Sequence, residues 1–227
     1  MGKHVDIRER PYHHGDLRRA VVSAALEILS ETQSVEFSLR ELARRAGVSH
    51  NAPYKHFADK RELLAAVSTA GFELLTRRMS NEIARHSNAR AQLFAMLRAY
   101  THHGVENPAL YRLMFGGYIS SPNDARPAIE RAAAEKTKAL LARTISKGGL
   151  GQVIPNTPRN EQKIAGAILA CWSLVHGLTM LLADGLVGPR KKYDKLSDSV
   201  VQSILDGLAS KLPALPPGTW LGPQRSV

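Results

Sequence analysis

Between residues 38 and 60 the chain carries Arg40, Arg44, Arg45, His50, Asn51, Tyr54, Lys55, His56 and Lys60, with no acidic side chain from Arg44 to Lys55. Guanidinium and ammonium groups neutralise phosphate by displacing its counterions. An asparagine amide can bond adenine at two points, and a lysine can meet guanine. The chemistry such a strip supports is contact with duplex nucleic acid. Other reactive constellations fail on spacing. His102 and His103 are adjacent, so on a helix they point apart and cannot share a metal as an i, i+4 pair could. The run Gly148-Gly-Leu-Gly151 lacks the lysine and hydroxyl residue of a phosphate-binding loop. Cys171 is the single cysteine, so there is no intrachain disulfide, and no zinc-type spacing occurs. No nucleophile-elbow pattern is present. We expect no catalytic set, metal or cofactor, and therefore not an enzyme.

The elements that must hold the basic strip are helical. Leu17, Val21, Ala24 and Ile28 form one apolar stripe, widened by Ala25 and Leu29, with Asp16 as the expected cap and Arg18 and Arg19 outside. Ser38 with Glu41 three residues later predicts a capping box. The helix it opens puts Leu39, Leu42, Ala43 and Ala46 on one face, and Gly47 is the stop. Ser49 is then a fresh cap for a short helix over about residues 50–57, with Pro53 tolerated in its first turn. Helix, glycine turn and helix over 38–57 is the arrangement that projects a polar helix face into a major groove. Further helices are expected over 60–85 (capped by Asp59), 89–105, 108–115, 125–147, 159–183 and 195–212, separated by Gly- and Pro-rich breaks. No alternating strand pattern competes. The fold class is all-α. An N-terminal three-helix helix-turn-helix domain (1–60) precedes a larger helical effector-binding and dimerisation domain (61–212) and a Pro-rich tail (213–227).

The bulk numbers agree without locating anything. A net charge of +11 favours polyanionic partners, yet residues 1–60 hold 10 basic and 8 acidic side chains, so most of the excess lies downstream. The first ten residues are charged and lack the apolar core of a signal peptide, and a reducing cytoplasm is expected. Residues 164–183 contain no Asp, Glu, Lys or Arg and reach membrane-spanning length. Ser173, His176 and Thr179 within it, and the amphipathic helices around it, point instead to a buried core or dimer helix with no membrane partner.

The ordered string Ser38-Leu-Arg-Glu-Leu-Ala-Arg-Arg-Ala-Gly-Val-Ser-His-Asn-Ala-Pro-Tyr-Lys-His-Phe-Ala-Asp-Lys60 resembles the DNA-binding signature of the TetR family of bacterial regulators, over roughly the first quarter of the chain. The resemblance implies an all-helical homodimer joined by its last two long helices. It also implies a C-terminal pocket for a small-molecule effector that changes the spacing of two reading heads and releases double-stranded operator DNA. Carried across, Ser38 and Arg40 would anchor on phosphate or a groove edge, with Ser49 in the same strip. His50, Asn51, Ala52 and Lys55 would face base edges, and Tyr54, His56 and Lys60 would clamp the backbone. Pro53 replaces a leucine frequent in the wider family. It fits a subgroup with a C-terminal Trp-His-Gly signature, similar to Trp172, His176 and Gly177 here, as does the opening Tyr12-His-His-Gly-Asp-Leu17. Ligand-lining candidates are Phe94, Tyr111, Phe115, Tyr118, Trp172 and His176, with Phe72, Tyr100 and Met114 beside them. For the dimer seam they are Ile168, Val175, Leu178, Leu182, Ile204, Leu205 and Leu208. Repression of a palindromic operator is the expected function. The alternative is a ligand-binding helical sensor dimer without operator binding. DNA affinity that does or does not depend on the basic strip separates the two.

Overall fold

The computed structural model describes residues 14–116, 127–150 and 160–210, and these form eight α-helices with no strand among the described residues. They are α1 (His14–Thr32), α2 (Leu39–Arg45), α3 (Lys60–Ala84), α4 (Ala89–Glu106), α5 (Pro108–Phe115), α6 (Ala128–Thr144), α7 (Glu161–Ala183) and α8 (Tyr193–Ser210). Helix α1 already begins at His14, two residues before Asp16. The other caps sit where hydrogen-bonding chemistry puts them. Ser38 Oγ accepts from Glu41 N at 3.1 Å, Asp59 Oδ1 from Glu62 N at 2.8 Å, and Asn88 Oδ1 from Arg90 N at 2.9 Å. Each such cap contributes about 1 kcal/mol to its helix.

One continuous core joins the two halves of the chain. Val21, Ile28 and Leu29 of α1, Leu42 of α2, Phe57, and Leu63 and Val67 of α3 are buried together. Helix α3 runs onward to pack on α4, α5 and α6, and α5 also touches α1. Helix α6 ends in a wider π-helical turn at Ile145–Gly149.

Helix α7 is long and apolar enough to cross a membrane by length and composition alone, as a core helix of a folded domain also can be. Its inner side carries Ala167, Cys171, Val175, Leu178 and Leu182. Leu174 and Leu181 are 47% and 44% exposed. This corrects the phase expected for a dimer seam. Val175, Leu178, Leu182 and Leu205 are spent within the subunit, and Ile168, Ile204 and Leu208 are only partly buried. A helix that is apolar all round gives periodicity nothing to distinguish inner face from outer.

Helix α8 lies antiparallel to α4 along a row of ion pairs. Arg90 meets Asp206, Arg98 Nε lies 2.8 Å from Asp198 Oδ1, and His102 Nε2 lies 3.4 Å from Asp194 Oδ1. Each advance along α4 is matched by an equal retreat along α8. Beneath this row His103 is buried, and burial holds its imidazole down at about 4, with the Arg78 guanidinium acting in the same direction.

Candidate nucleic-acid interface and effector cavity

The basic strip is held by a helix end of defined geometry. Helix α2 closes with Gly47 N donating to Arg44 O at 3.3 Å and Val48 N to Ala43 O at 3.0 Å, a Schellman arrangement. It requires a left-handed residue at position 47, and Gly47 has φ +66°. The chain then turns through Ser49, whose carbonyl accepts from Ala52 N at 2.9 Å. The following element is shorter than the helix expected over 50–57. It is a single 3₁₀ turn, Pro53–Lys55, in which Lys55 N donates to Ala52 O at 3.1 Å and His56 N to Pro53 O at 3.0 Å. Pro53 has no N–H to extend an α-helical ladder back toward Ser49, so the tighter i→i+3 pattern prevails.

Among the expected contact residues, Ser38, Arg40, Ser49, His50, Asn51, Tyr54 and Lys55 stand on the exposed side together with Arg44. Tyr54 is 56% exposed, and its ring lies 6.3 Å from that of His50. Ala52 departs from expectation. It is 5% exposed and belongs to the core with Phe57, so it cannot present its methyl group to a base edge from this conformation. The tight turn rolls Ala52 and Pro53 inward and Asn51, Tyr54 and Lys55 outward. His56 is half-buried, and its carbonyl accepts from Arg18 at 2.8 Å. Lys60 is half-buried as well, with its ammonium 5.2 Å from the centre of the Phe37 ring.

Two ties in this region escaped the sequence. Arg18 of α1 places its guanidinium 4.4 Å above Phe57 while bonding the His56 carbonyl, which latches the end of the turn to the first helix. Arg45 pairs with Glu31 at 2.6 Å, and that hydrogen bond holds the Glu31 carboxyl below its usual range. Arg45 is therefore committed to the fold, whereas Arg40 and Arg44 make no ion pair among the described residues. Only i, i+3 and i, i+4 charge pairs are visible to sequence reading, and these ties cross between elements.

A second site lies among α3, α4, α6 and α7. A cavity of about 300 Å³ is walled by Phe72, Met79, Met96, Leu97, Phe115, Trp172 and Val175, with Arg131, Glu135 and Lys138 along α6. Against it stands an aromatic cluster joined by hydrogen bonds. The Tyr111 hydroxyl is 2.6 Å from His176 Nδ1 and 2.9 Å from the Tyr100 hydroxyl, which itself lies 3.1 Å from the same nitrogen. The Trp172 indole N–H donates to Tyr100 at 3.3 Å. Burial pushes the Tyr100 phenol up to about 12 and raises that of Tyr111 further, while burial lowers His176. All three are neutral near pH 7, which a cluster with so little access to water requires.

The expected ligand residues are distributed unevenly. Phe115 and Trp172 line the cavity, and Tyr111 and His176 stand behind it, linked through Tyr100. Phe94 does not join them. It faces a separate cleft beside Arg78, Glu82 and Arg98, because on α4 it lies one turn from Arg98 and on the side away from Met96 and Tyr100. Tyr118 lies outside the described residues, as does the tail from residue 213. Sequence reasoning missed Met79, Met96 and the three charged residues of α6. The i, i+4, i+7 spacing of Arg131, Glu135 and Lys138 on one face was the available signal.

Comparison with known proteins matches both parts of the chain to family models. Residues 21–67 match the family model for "Bacterial regulatory proteins, tetR family", and residues 93–204 match "Tetracyclin repressor-like, C-terminal domain". The chain is similar to the HTH-type transcriptional repressor Rv3405c of Mycobacterium tuberculosis, with 30% identity over 113 residues that cover 50% of this chain and 54% of that one. The match thus spans about half the length of that relative. A Rhodococcus sp. RHA1 protein of unknown function is 31% identical, with a TM-score of 0.69 over 90% of this chain and 99% of its own. The transcriptional regulator FadR of Bacillus subtilis, solved in complex with stearoyl-CoA, has a TM-score of 0.63 at 14% identity, over 83% of this chain and 98% of its own. That likeness is one of fold alone.

Proposed function

This chain belongs to the tetR family of bacterial regulatory proteins, and on that premise we propose that it is a sequence-specific DNA-binding transcriptional regulator, an effector-responsive repressor acting in the cytoplasm as a homodimer on a palindromic operator. The observation that carries this reading is the exposed, acid-free strip from Arg44 to Lys55, held by the Gly47 turn and latched by Arg18. Arg40 and Arg44 meet phosphate, while His50, Asn51 and Lys55 face the groove and Tyr54 lies along the backbone. A functional division near residue 60 fits these roles, with α3 carrying movement from the effector region into the reading head. Trp172, His176 and Gly177 support placement in the Trp-His-Gly subgroup. The dimer seam assigned here is the outer face of α7 and α8, where Leu174, Leu181 and Leu196 remain exposed and nothing stands within 4 Å of where a Cβ on Gly177 would lie. Burying such a face is what drives two pairs of helices into a four-helix interface.

The test is selection of bound duplexes from a randomised pool, followed by titration of the winner across a salt series. Tyr54→Ala with Lys55→Ala serves as the control. The expected result is a two-fold symmetric consensus, bound far more tightly than scrambled DNA and lost in the double variant. Weak binding to every duplex, unmoved by the substitutions, would remove operator recognition and leave a ligand-binding dimer.

A further inference from the structure

We propose that the cavity among α3, α4, α6 and α7 takes a compact organic acid, its carboxylate held at Arg131 and Lys138 and its apolar body lodged against Trp172 and Phe115. The inference rests on reading this cavity as the effector site. At about 300 Å³ it lies at the small end of ligand pockets. Its inner walls are aromatic and thioether groups with no charge to offer. The polar atoms within reach there are already engaged: the Tyr100 hydroxyl with Tyr111, His176 and Trp172, and Thr137 with Thr76 at 2.7 Å. An ionised head group placed inside would lose its hydration without compensation.

Charge can therefore be accommodated only along α6, where Arg131, Glu135 and Lys138 share the cavity face. Glu135 is paired with Lys138, which leaves one positive charge in excess. The other carboxylate nearby, Glu130, is fully buried and turned to Ser68 of α3, whose hydroxyl donates to it at 2.8 Å. Arg131 is exposed and keeps its water until a ligand arrives, while Lys138, half-buried and paired with Glu135, can share its ammonium with a second carboxylate. An amine at the same place would meet the excess positive charge, and an amide would forgo the attraction.

Calorimetric titration of the full chain with 4-phenylbutyrate, its amide and 4-phenylbutylamine tests this directly. The acid should bind at least about tenfold more tightly than the amide, with the amine weakest. Arg131→Glu with Lys138→Glu should invert the order, a gain of amine binding that a misfolded chain could not produce. An amide or amine that matches the acid, an acid that fails to saturate at millimolar concentration, or an order unchanged by charge reversal would each overturn the proposal. No DNA is present in this assay, which separates it from the effector reading. Acid binding that leaves operator complexes intact would uphold the ligand class and remove the effector role. Release of operator by the uncharged probe alone would do the reverse.

Discussion

Tyr54 in the reading head and Tyr111 in the effector region are both aromatic hydroxyls on short helical elements, yet Tyr54 is 56% exposed and Tyr111 fully buried. Around Tyr54 the polar groups face outward to solvent. Around Tyr111 they are already bonded to one another, at 2.6 and 2.9 Å. The reading head thus keeps its binding capacity on the surface and stores rigidity underneath, in the Gly47 turn and the Arg18 latch. The C-terminal region keeps a satisfied polar cluster next to an apolar cavity. A surface site tolerates repacking but not loss of charge. A buried site shows the opposite sensitivity.

The comparison can be broken most severely at the dimer. Leu174→Glu with Leu181→Glu should halve the sedimenting mass. Linked half-sites gain about 100- to 10,000-fold in avidity, so operator affinity should fall by about 1,000-fold. Arg40→Ala with Arg44→Ala should weaken operator binding by about 100-fold and make its logarithmic salt dependence shallower by about two contacts, with melting temperature unchanged. If the melting temperature fell with affinity, the claim that surface charge and underlying rigidity are separate would fail.

The buried side predicts a pH effect. His103 is held at about 4 in the fold against an ordinary 6.5, so between those values the unfolded chain binds more protons. Stability is complete above the ordinary value and falls as pH drops through this window, by on the order of 3 kcal/mol at most. His103→Leu should flatten urea midpoints across that range. Two glycines then separate space from backbone. A Cβ on Gly104 would fall 2.2 Å from Thr179 Cγ2 and 2.9 Å from the Tyr111 ring, so Gly104→Ala should cost about 2 kcal/mol. It should also blunt the effector response. A Cβ on Gly47 meets nothing within 4 Å, so Gly47→Ala should cost only the about 1 kcal/mol of a left-handed L-residue. Its effect on operator affinity should exceed its effect on effector binding.

How much was legible follows the same division. Ser38, Gly47 and Asp59 act on neighbours a few residues away, so the helix-turn-helix could be located from local chemistry. The 3₁₀ character of residues 53–55 follows from the missing N–H of Pro53, whereas a regular helix over 50–57 turns Ala52 outward. The cavity was harder. Its polar cluster joins Tyr100, Tyr111 and His176 across separations of 11, 65 and 76 residues, which no periodicity encodes. Trp172 and Phe115 were found because aromatic residues are few. Phe94 was drawn in by the same rule, although its helix phase turns it elsewhere.

The ion pairs between α4 and α8 stabilise little individually, since exposed pairs contribute about 0–1 kcal/mol each. Their spacing has a different effect, that of a key cut for one position. A slip of one turn in one direction would set Arg90 against Gln202 and His102 against Arg190, leaving only Arg98 opposite an acid, Asp194. A slip the other way would set Arg90 against Ser210 and Arg98 against Gln202, leaving only His102 with a carboxylate, that of Asp198. A one-turn slip of α8 along α4 in either direction therefore forfeits two of the three pairings. The row thus acts less as glue than as a register mark that sets one position of α8 against α4.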